Sequence, residues 1–223
     1  MDTHAGTPPL KFVKNILSRA ATKRRPGLID WTRVLGLYDI VTAFWHADLP
    51  LDEPIFVIPP KGKEDAGWGW QMQKAMYGTR RASQLYREFM VGVFDKCGYQ
   101  VLKISRQMFF SPRFDSLAAL HGDDVIVEGE QEALDFIDQA ITPLCNVKIL
   151  PRVGPGATVM GRYLKRYICY LPGVGYEWNE DPTHVIKLLE ATGKTLAKPQ
   201  GSPSSKDVGK SNVEVFDALE PGG

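Results

Sequence analysis

The hydrophobic positions of this chain change period along its length, and those changes mark out its elements. Leu10, Val13, Ile16, Leu17 and Ala20 recur at helical spacing within residues 9–24, predicting an amphipathic helix that stops before Pro26-Gly27. Residues 34–41, "VLGLYDIV", form a short apolar run rich in β-formers and predict a buried strand whose one charge is Asp39. Residues 50–70 are rich in Pro and Gly around a short extended piece, "IFVIPP". Residues 80–96 predict a helix with Leu85, Phe89, Val93 and Lys96 on one stripe and Gly98 as its stop. Residues 116–121 and 125–128 predict a hairpin with His-Gly-Asp-Asp at its turn. Leu134, Ile137 and Ile141 predict a helix over 131–142, and 146–150 a strand. A second hairpin is expected at 158–178 around "LPGVG", then a helix over 182–192 opening on Pro182. From Lys198 the Ser, Pro, Gly, Lys and Asp content predicts a disordered tail.

Between residues 34 and 150 the predicted order is strand, helix, strand, strand, helix, strand. That is the split β-α-β, or ferredoxin-like, pattern of an α+β fold. The helical crossover gives the first and second strands the same direction. The hairpin reverses the third, which inserts beside the first. The end of the first strand then lies beside the start of the third. Asp39 is near the one, and Asp123 and Asp124 are at the other. Topology alone is expected to bring together three carboxylates that lie 84 residues apart.

Composition narrows the class. The 223 residues are 43% hydrophobic and 24% charged, typical of a soluble globular chain, and the net charge is +1. The charge is unevenly placed. Residues 1–38 hold seven Lys/Arg against Asp2 and Asp30, and residues 74–106 hold seven against Glu88 and Asp95. Residues 112–140 reverse the sign, with eight acids against Arg113. Basic flanks about an acidic centre suit a polyanion lying near bound cations. Cys97, Cys145 and Cys169 are scattered, which argues against a zinc cluster or a disulfide framework and for a reducing compartment. No apolar run reaches the ~20 residues of a membrane span, and the N-terminus lacks a signal pattern. The expected setting is intracellular, cytoplasmic or nuclear.

Three clustered carboxylates repel one another unless cations lie between them. Hard oxygen ligands select Mg²⁺ or Mn²⁺, and two such ions about 4 Å apart serve phosphoryl transfer. The Ile40 carbonyl, beside Asp39, is a natural further ligand. Neighbouring aspartates on a strand point to opposite faces, so Asp123 and Asp124 are expected to have unequal roles.

At this point the residues resemble the reverse transcriptase of copia-type retrotransposons, over roughly residues 7–200. "YDIVTAFWHADL" resembles that family's first catalytic motif, and "WQMQKAMYGTRRASQLYREF" its K-S-L-Y-G-L-K-Q-A-P-R segment. "HGDDVIVEG" resembles its Y-V-D-D hairpin, and "MGRYLKR" with "DPTHVIKLLEATG" its later blocks. The resemblance implies an RNA-directed DNA polymerase using two Mg²⁺ ions, a template–primer and deoxynucleoside triphosphates. It implies a polymerase palm at 34–157 and a fingers remnant with an N-terminal helix at 1–33. A primer-grip hairpin and the start of the thumb would occupy 158–197, and a disordered tail 198–223. Asp39, Asp123 and Asp124 would be the catalytic, metal-binding triad. Phe44 would pack under the incoming sugar and exclude a 2′-hydroxyl. Tyr77 and Gly78 would contact nucleotide and template, and Arg80 and Arg81 phosphates. Lys148 could serve as a proton donor to the leaving pyrophosphate, the alternative being an ordinary exposed lysine. His121-Gly122 and Ser83 depart from the family pattern, and the region before the palm strand is short. The alternative is a catalytically inactive, truncated remnant that at most binds nucleic acid. Either way the chain is expected to come from a larger polyprotein.

Overall fold

A computed structural model describes residues 10–22, 32–63 and 67–193. The chain divides into two units, Met1–Asp181 and Pro182–Gly223. The first holds, in order, α1 (Lys11–Thr22), β1 (Val34–Ile40), a single 3-10 turn (Ala43–His46), β2 (Phe56–Val57), β3 (Trp70–Gln71) and α2 (Ala82–Lys96). It continues with β4 (Gln100–Leu102), β5 (Ser105–Ser111), β6 (Ser116–His121), β7 (Asp124–Gly129), α3 (Gln131–Ile141) and β8 (Val147–Val153). It ends with β9 (Met160–Tyr163), β10 (Arg166–Leu171) and β11 (Gly175–Glu180). The described part of the second unit is one helix, α4 (Pro182–Thr192). The expected tail at 198–223, the first nine residues and residues 23–31 lie outside the described residues.

The main sheet has the strand order β4-β5-β6-β7-β1-β8, with every neighbouring pair antiparallel. Its last four strands, with α2 and α3 as crossovers, have the expected split β-α-β order. The third strand of that unit, β7, inserts beside β1. β4 and β5 extend the sheet at its other end, where the hydrophobic pattern predicts no element. Their turn, near Lys103-Ile104, carries none of the Gly, Asn, Asp or Pro residues that signal a hairpin. The same cause hides the turn between β9 and β10. Leu164 (φ 50°) and Lys165 (φ 57°) adopt there the double positive φ that usually falls to Asn-Gly. Residues 158–178 therefore belong to a three-stranded meander, β11-β10-β9, in place of one hairpin.

β1 is buried on both faces, which is why its sequence reads as a continuous apolar run. Val34, Tyr38 and Ile40 pack with residues of α2 and α3, including Met90, Phe94, Leu134 and Ile137. Leu35 and Leu37 pack on the opposite face with α1 and with Tyr163 and Ile168 of the meander. β9 approaches closely enough that a Cβ on Gly161 would lie 2.5 Å from Val153 and 2.9 Å from Leu37. On α2 the buried stripe is Ala82, Leu85, Tyr86, Met90, Val93 and Phe94. Phe89 is half-buried and Lys96 exposed, so the stripe is rotated from the predicted one. Aromatic packing sets the rotation: Phe94 stacks on Phe109 at 4.0 Å and Tyr86 meets Phe44 edge-on at 5.5 Å.

At the end of β7 away from the turn, Glu128 is fully buried. Arg19 of α1 donates through Nε to its Oε1 at 2.5 Å, and Arg33 through Nε to its Oε2 at 2.5 Å. The Leu117 amide donates a third hydrogen bond, at 3.1 Å. Both guanidinium groups also reach the Asp115 carbonyl, at 2.6 and 2.5 Å. A buried carboxylate so compensated tolerates loss of a partner poorly, because the remaining charge is left in a low-dielectric interior. Glu128→Ala is therefore expected to destabilise the first unit by about 3–5 kcal/mol in denaturant unfolding. A loss below about 1 kcal/mol would show that the network does not anchor α1.

Candidate functional site

The β6–β7 turn is two residues long. His121 pairs with Asp124 across it, leaving Gly122 and Asp123 at the centre. Gly122 has φ +64°, a positive φ at the first central position, where type II′ hairpin turns favour glycine. Asp124 thus belongs to the strand and Asp123 to the turn. The two neighbouring acids differ in backbone role, and also in exposure: Asp123 is exposed and Asp124 half-buried.

The pairing of β1 with β7 puts Asp39 directly opposite Asp124. The Ile40 amide donates to the Asp123 carbonyl at 2.9 Å, which ties the turn to the end of β1. The Val41 amide donates to the Asn146 carbonyl at 2.9 Å, which ties the start of β8 to the same edge. The register extends the row in both directions, since His121 is opposite Asp124 and Lys148 opposite Asp39. Four neighbouring strands therefore carry His121, Asp124, Asp39 and Lys148 abreast, with both acids in the middle. Cross-strand partners share a face of the sheet, and this is the face that packs on α1 and the meander.

Like charges directly opposite are destabilising in a sheet. Burial is the largest cause pushing the Asp124 carboxyl up to about 6, with the charges of Asp123 and Asp39 adding to it. Among the described residues none of the three acids has an ion-pair partner. The contrast lies within one strand: β7 carries Glu128, held by two arginines, at one end and Asp124 beside two more acids at the other. The donors are of the hard oxygen type that Mg²⁺ takes. As the side chains stand, though, no group of three His, Cys, Asp or Glu residues among the described residues could hold a metal ion. The three acids share an edge without converging on a point.

The residues around this edge are partly those the motifs single out. Phe44, half-buried in the 3-10 turn, meets Tyr77 at 4.4 Å and Tyr86 at 5.5 Å, both edge-on. Tyr77 is exposed, and burial together with the charges of Asp123 and Asp39 raises its hydroxyl pKa. Gly78 has φ +91°, a conformation suited to glycine. Arg80 is exposed, whereas Arg81 is held by Glu53 at 2.8 Å. His46 has a structural place, with Nε2 3.0 Å from the Val41 carbonyl and its ring stacked on Phe89. Sequence reasoning missed Tyr86, Arg87 and Gln107, which line a cavity of about 160 Å³ with Phe44 and Gly122. Two of these sit on the α2 stripe and its border, where an amphipathic pattern cannot separate core from site. Gln107 falls in the strand that went unpredicted.

Because the folded chain holds the Asp124 proton more tightly than the unfolded chain, this group's contribution to stability is present at low pH. It is lost as pH rises from about 4 to about 6. Thermal unfolding across pH 4–8 in EDTA is expected to show that decline, and Asp124→Asn to remove it and raise the midpoint at pH 7. A variant with the wild-type slope and a lower midpoint would contradict the strain ascribed to the acids.

No family model matches this sequence, and no solved structure matches it. Over 121 residues the chain is 27% identical to the Saccharomyces cerevisiae protein described as "Putative transposon Ty5-1 protein YCL074W". The match takes in 52% of this chain and 39% of that protein, so the chain spans about two-fifths of its relative's length. Over half its length, this chain is similar to a transposon protein.

Proposed function

We propose that residues 34–157 are the palm of a copia-type reverse transcriptase, an RNA-directed DNA polymerase. It would join a deoxynucleotide to the 3′-hydroxyl of a primer on a template. The observation that carries this reading is the uncompensated acid edge. The fold sets Asp39 against Asp124, with Asp123 in the adjoining turn, and among the described residues none of them has an ion pair, although Lys148 lies across from Asp39 on β8 and Glu128, on the same strand as Asp124, is paired with two arginines. The similarity to a transposon protein supports the same assignment. As a piece of a larger polyprotein, it would act inside the cell, in cytoplasm or nucleus.

In this reading Asp39, Asp123, Asp124 and the Ile40 carbonyl are the groups that would hold two Mg²⁺ ions, with Mn²⁺ able to substitute. The ions would supply charge balance on the attacking and leaving oxygens. The protein's own groups would do the positioning. Phe44, whose ring meets Tyr77 and Tyr86 edge-on, would form the floor under the sugar. Tyr77 and Gly78 back the nucleotide against the template strand. Of these two arginines, Arg80 is the one available to a phosphate, since Arg81 is engaged by Glu53. Lys148, across from Asp39 in the sheet, would be the candidate proton donor to the departing pyrophosphate. The meander β9–β11 corresponds to the primer grip.

A second reading, an inactive remnant that at most binds nucleic acid, draws on the lack of convergence of the acids. Two measurements separate the readings. Mg²⁺ is expected to raise the thermal midpoint of the wild-type chain but not of Asp39→Asn, because a cation that binds the folded state stabilises it. Primer extension on an RNA template is expected in Mg²⁺ and to fall at least about 100-fold in Asp39→Asn and Asp123→Asn. Stabilisation by Mg²⁺ without extension would favour the remnant. The absence of both effects would overturn the metal site itself.

A further inference from the structure

Two cavities flank the start of α2 and share one residue, Arg87. The first, of about 160 Å³, reaches Gly122 at the acidic edge and includes Ser83, Tyr86 and Gln107. The second, of about 270 Å³, runs outward between α2 and the β4–β5 hairpin, past Val91, Val101, Glu88 and Arg106. Among the described residues the Tyr86 hydroxyl and the Arg87 Nε are buried without a hydrogen-bond partner, and Tyr86 is only 3% exposed. Buried donors of this kind are uncommon, because each has given up water for nothing in return. Arg106 is exposed, with no ion-pair partner among the described residues. The acid that lines the outer cavity, Glu88, accepts a hydrogen bond from Gln84 at 2.9 Å. The surrounding segment, residues 74–106, carries seven Lys/Arg against two acids.

We propose that these cavities form one track for the phosphodiester backbone of a nucleic-acid strand, with a phosphate on Arg87 and a second on Arg106. The proposal rests on the polymerase reading and adds to it a path leading away from the acidic edge along α2. A phosphate is the ligand these donors suit. It offers several acceptor oxygens to the guanidinium and the tyrosine hydroxyl, and its negative charge complements the local excess of cations. The largely apolar outer wall, Val91 and Val101, suits the sugar faces between phosphates. Template and primer share this chemistry, and the strand is identified by the test.

The test is binding of the full chain to a fluorescent RNA–DNA duplex with a 5′ overhang, measured by anisotropy over a range of salt concentrations. Arg87→Gln and Arg106→Gln are each expected to lower the slope of log K against log salt by about one, the signature of one lost phosphate contact. Arg87→Lys is expected to keep most of the wild-type slope. Arg106 is exposed, so its variant tests the track even if the Arg87 variants unfold. Uncharged methylphosphonates are then placed in one strand at a time. The strand in the track is the one whose neutralisation makes wild type and Arg106→Gln equal. Wild-type slopes in both glutamine variants, or a difference that survives neutralisation of either strand, would overturn the track while leaving the polymerase reading in place. Failure of the wild-type chain to bind the duplex, together with no Mg²⁺ stabilisation, would overturn both.

Discussion

The antiparallel pairing of β1 with β7 is the constraint on which the rest depends. Both strands are buried on both faces, so a one-residue slip would turn each strand's apolar side chains to the wrong layer. Leu35, Leu37 and Ile126 belong to the layer under α1, and Tyr38, Ile40, Val125 and Val127 to the layer over α2 and α3. That two-sided demand fixes the register, and the register fixes the charges. With Leu37 opposite Ile126, Asp39 must stand opposite Asp124. Hydrophobic burial on this scale, about 25 cal/mol per Å², is what holds two carboxylates opposite each other with no ion pair to either among the described residues.

The two ends of β7 show how the same residue chemistry serves opposite purposes. Glu128 is sealed in and matched by Arg19 and Arg33, so it ties α1 and the segment before β1 to β7. Asp124 is half-buried, is pushed up to about 6 by burial and by its acidic neighbours, and opens on the edge. A half-buried network of Tyr38, Asp138 and Arg152 ties the strand next to that edge to α3 and β8, with hydrogen bonds of 2.7 and 2.6 Å. Hydrogen bonds brace the strand beside the acids, and the acids themselves have no ion pair among the described residues.

Much of this was legible in the residue pattern. Helix and strand periods, taken with the rule that a split β-α-β unit inserts its third strand beside its first, suffice to bring Asp39 to Asp123 and Asp124. Other features were not legible, for physical reasons. The β4–β5 and β9–β10 turns use Lys-Ile and Leu-Lys, residues with no intrinsic turn preference. The row that joins His121 and Lys148 to the two acids exists only through register, which no single strand's sequence reports. Tyr86 and Arg87 lie at the border of a helix stripe, where packing and binding call for the same side chains. The observed β6–β7 turn is one residue shorter than the predicted strand ends leave it, because Asp124 looks like a turn residue and acts as a strand residue.

The central claim is that the Asp39–Asp123–Asp124 edge is a cation site. Paramagnetic broadening by Mn²⁺ of the backbone amide resonances of the full chain tests it most directly. Substoichiometric Mn²⁺ should first broaden the amides of Ile40, Val41 and residues 122–125, together with Asn146 to Lys148 across the edge. In Asp39→Asn that broadening should disappear at the same metal concentration. Uniform broadening, or broadening centred on exposed acids elsewhere such as Glu132 and Asp135, would contradict it.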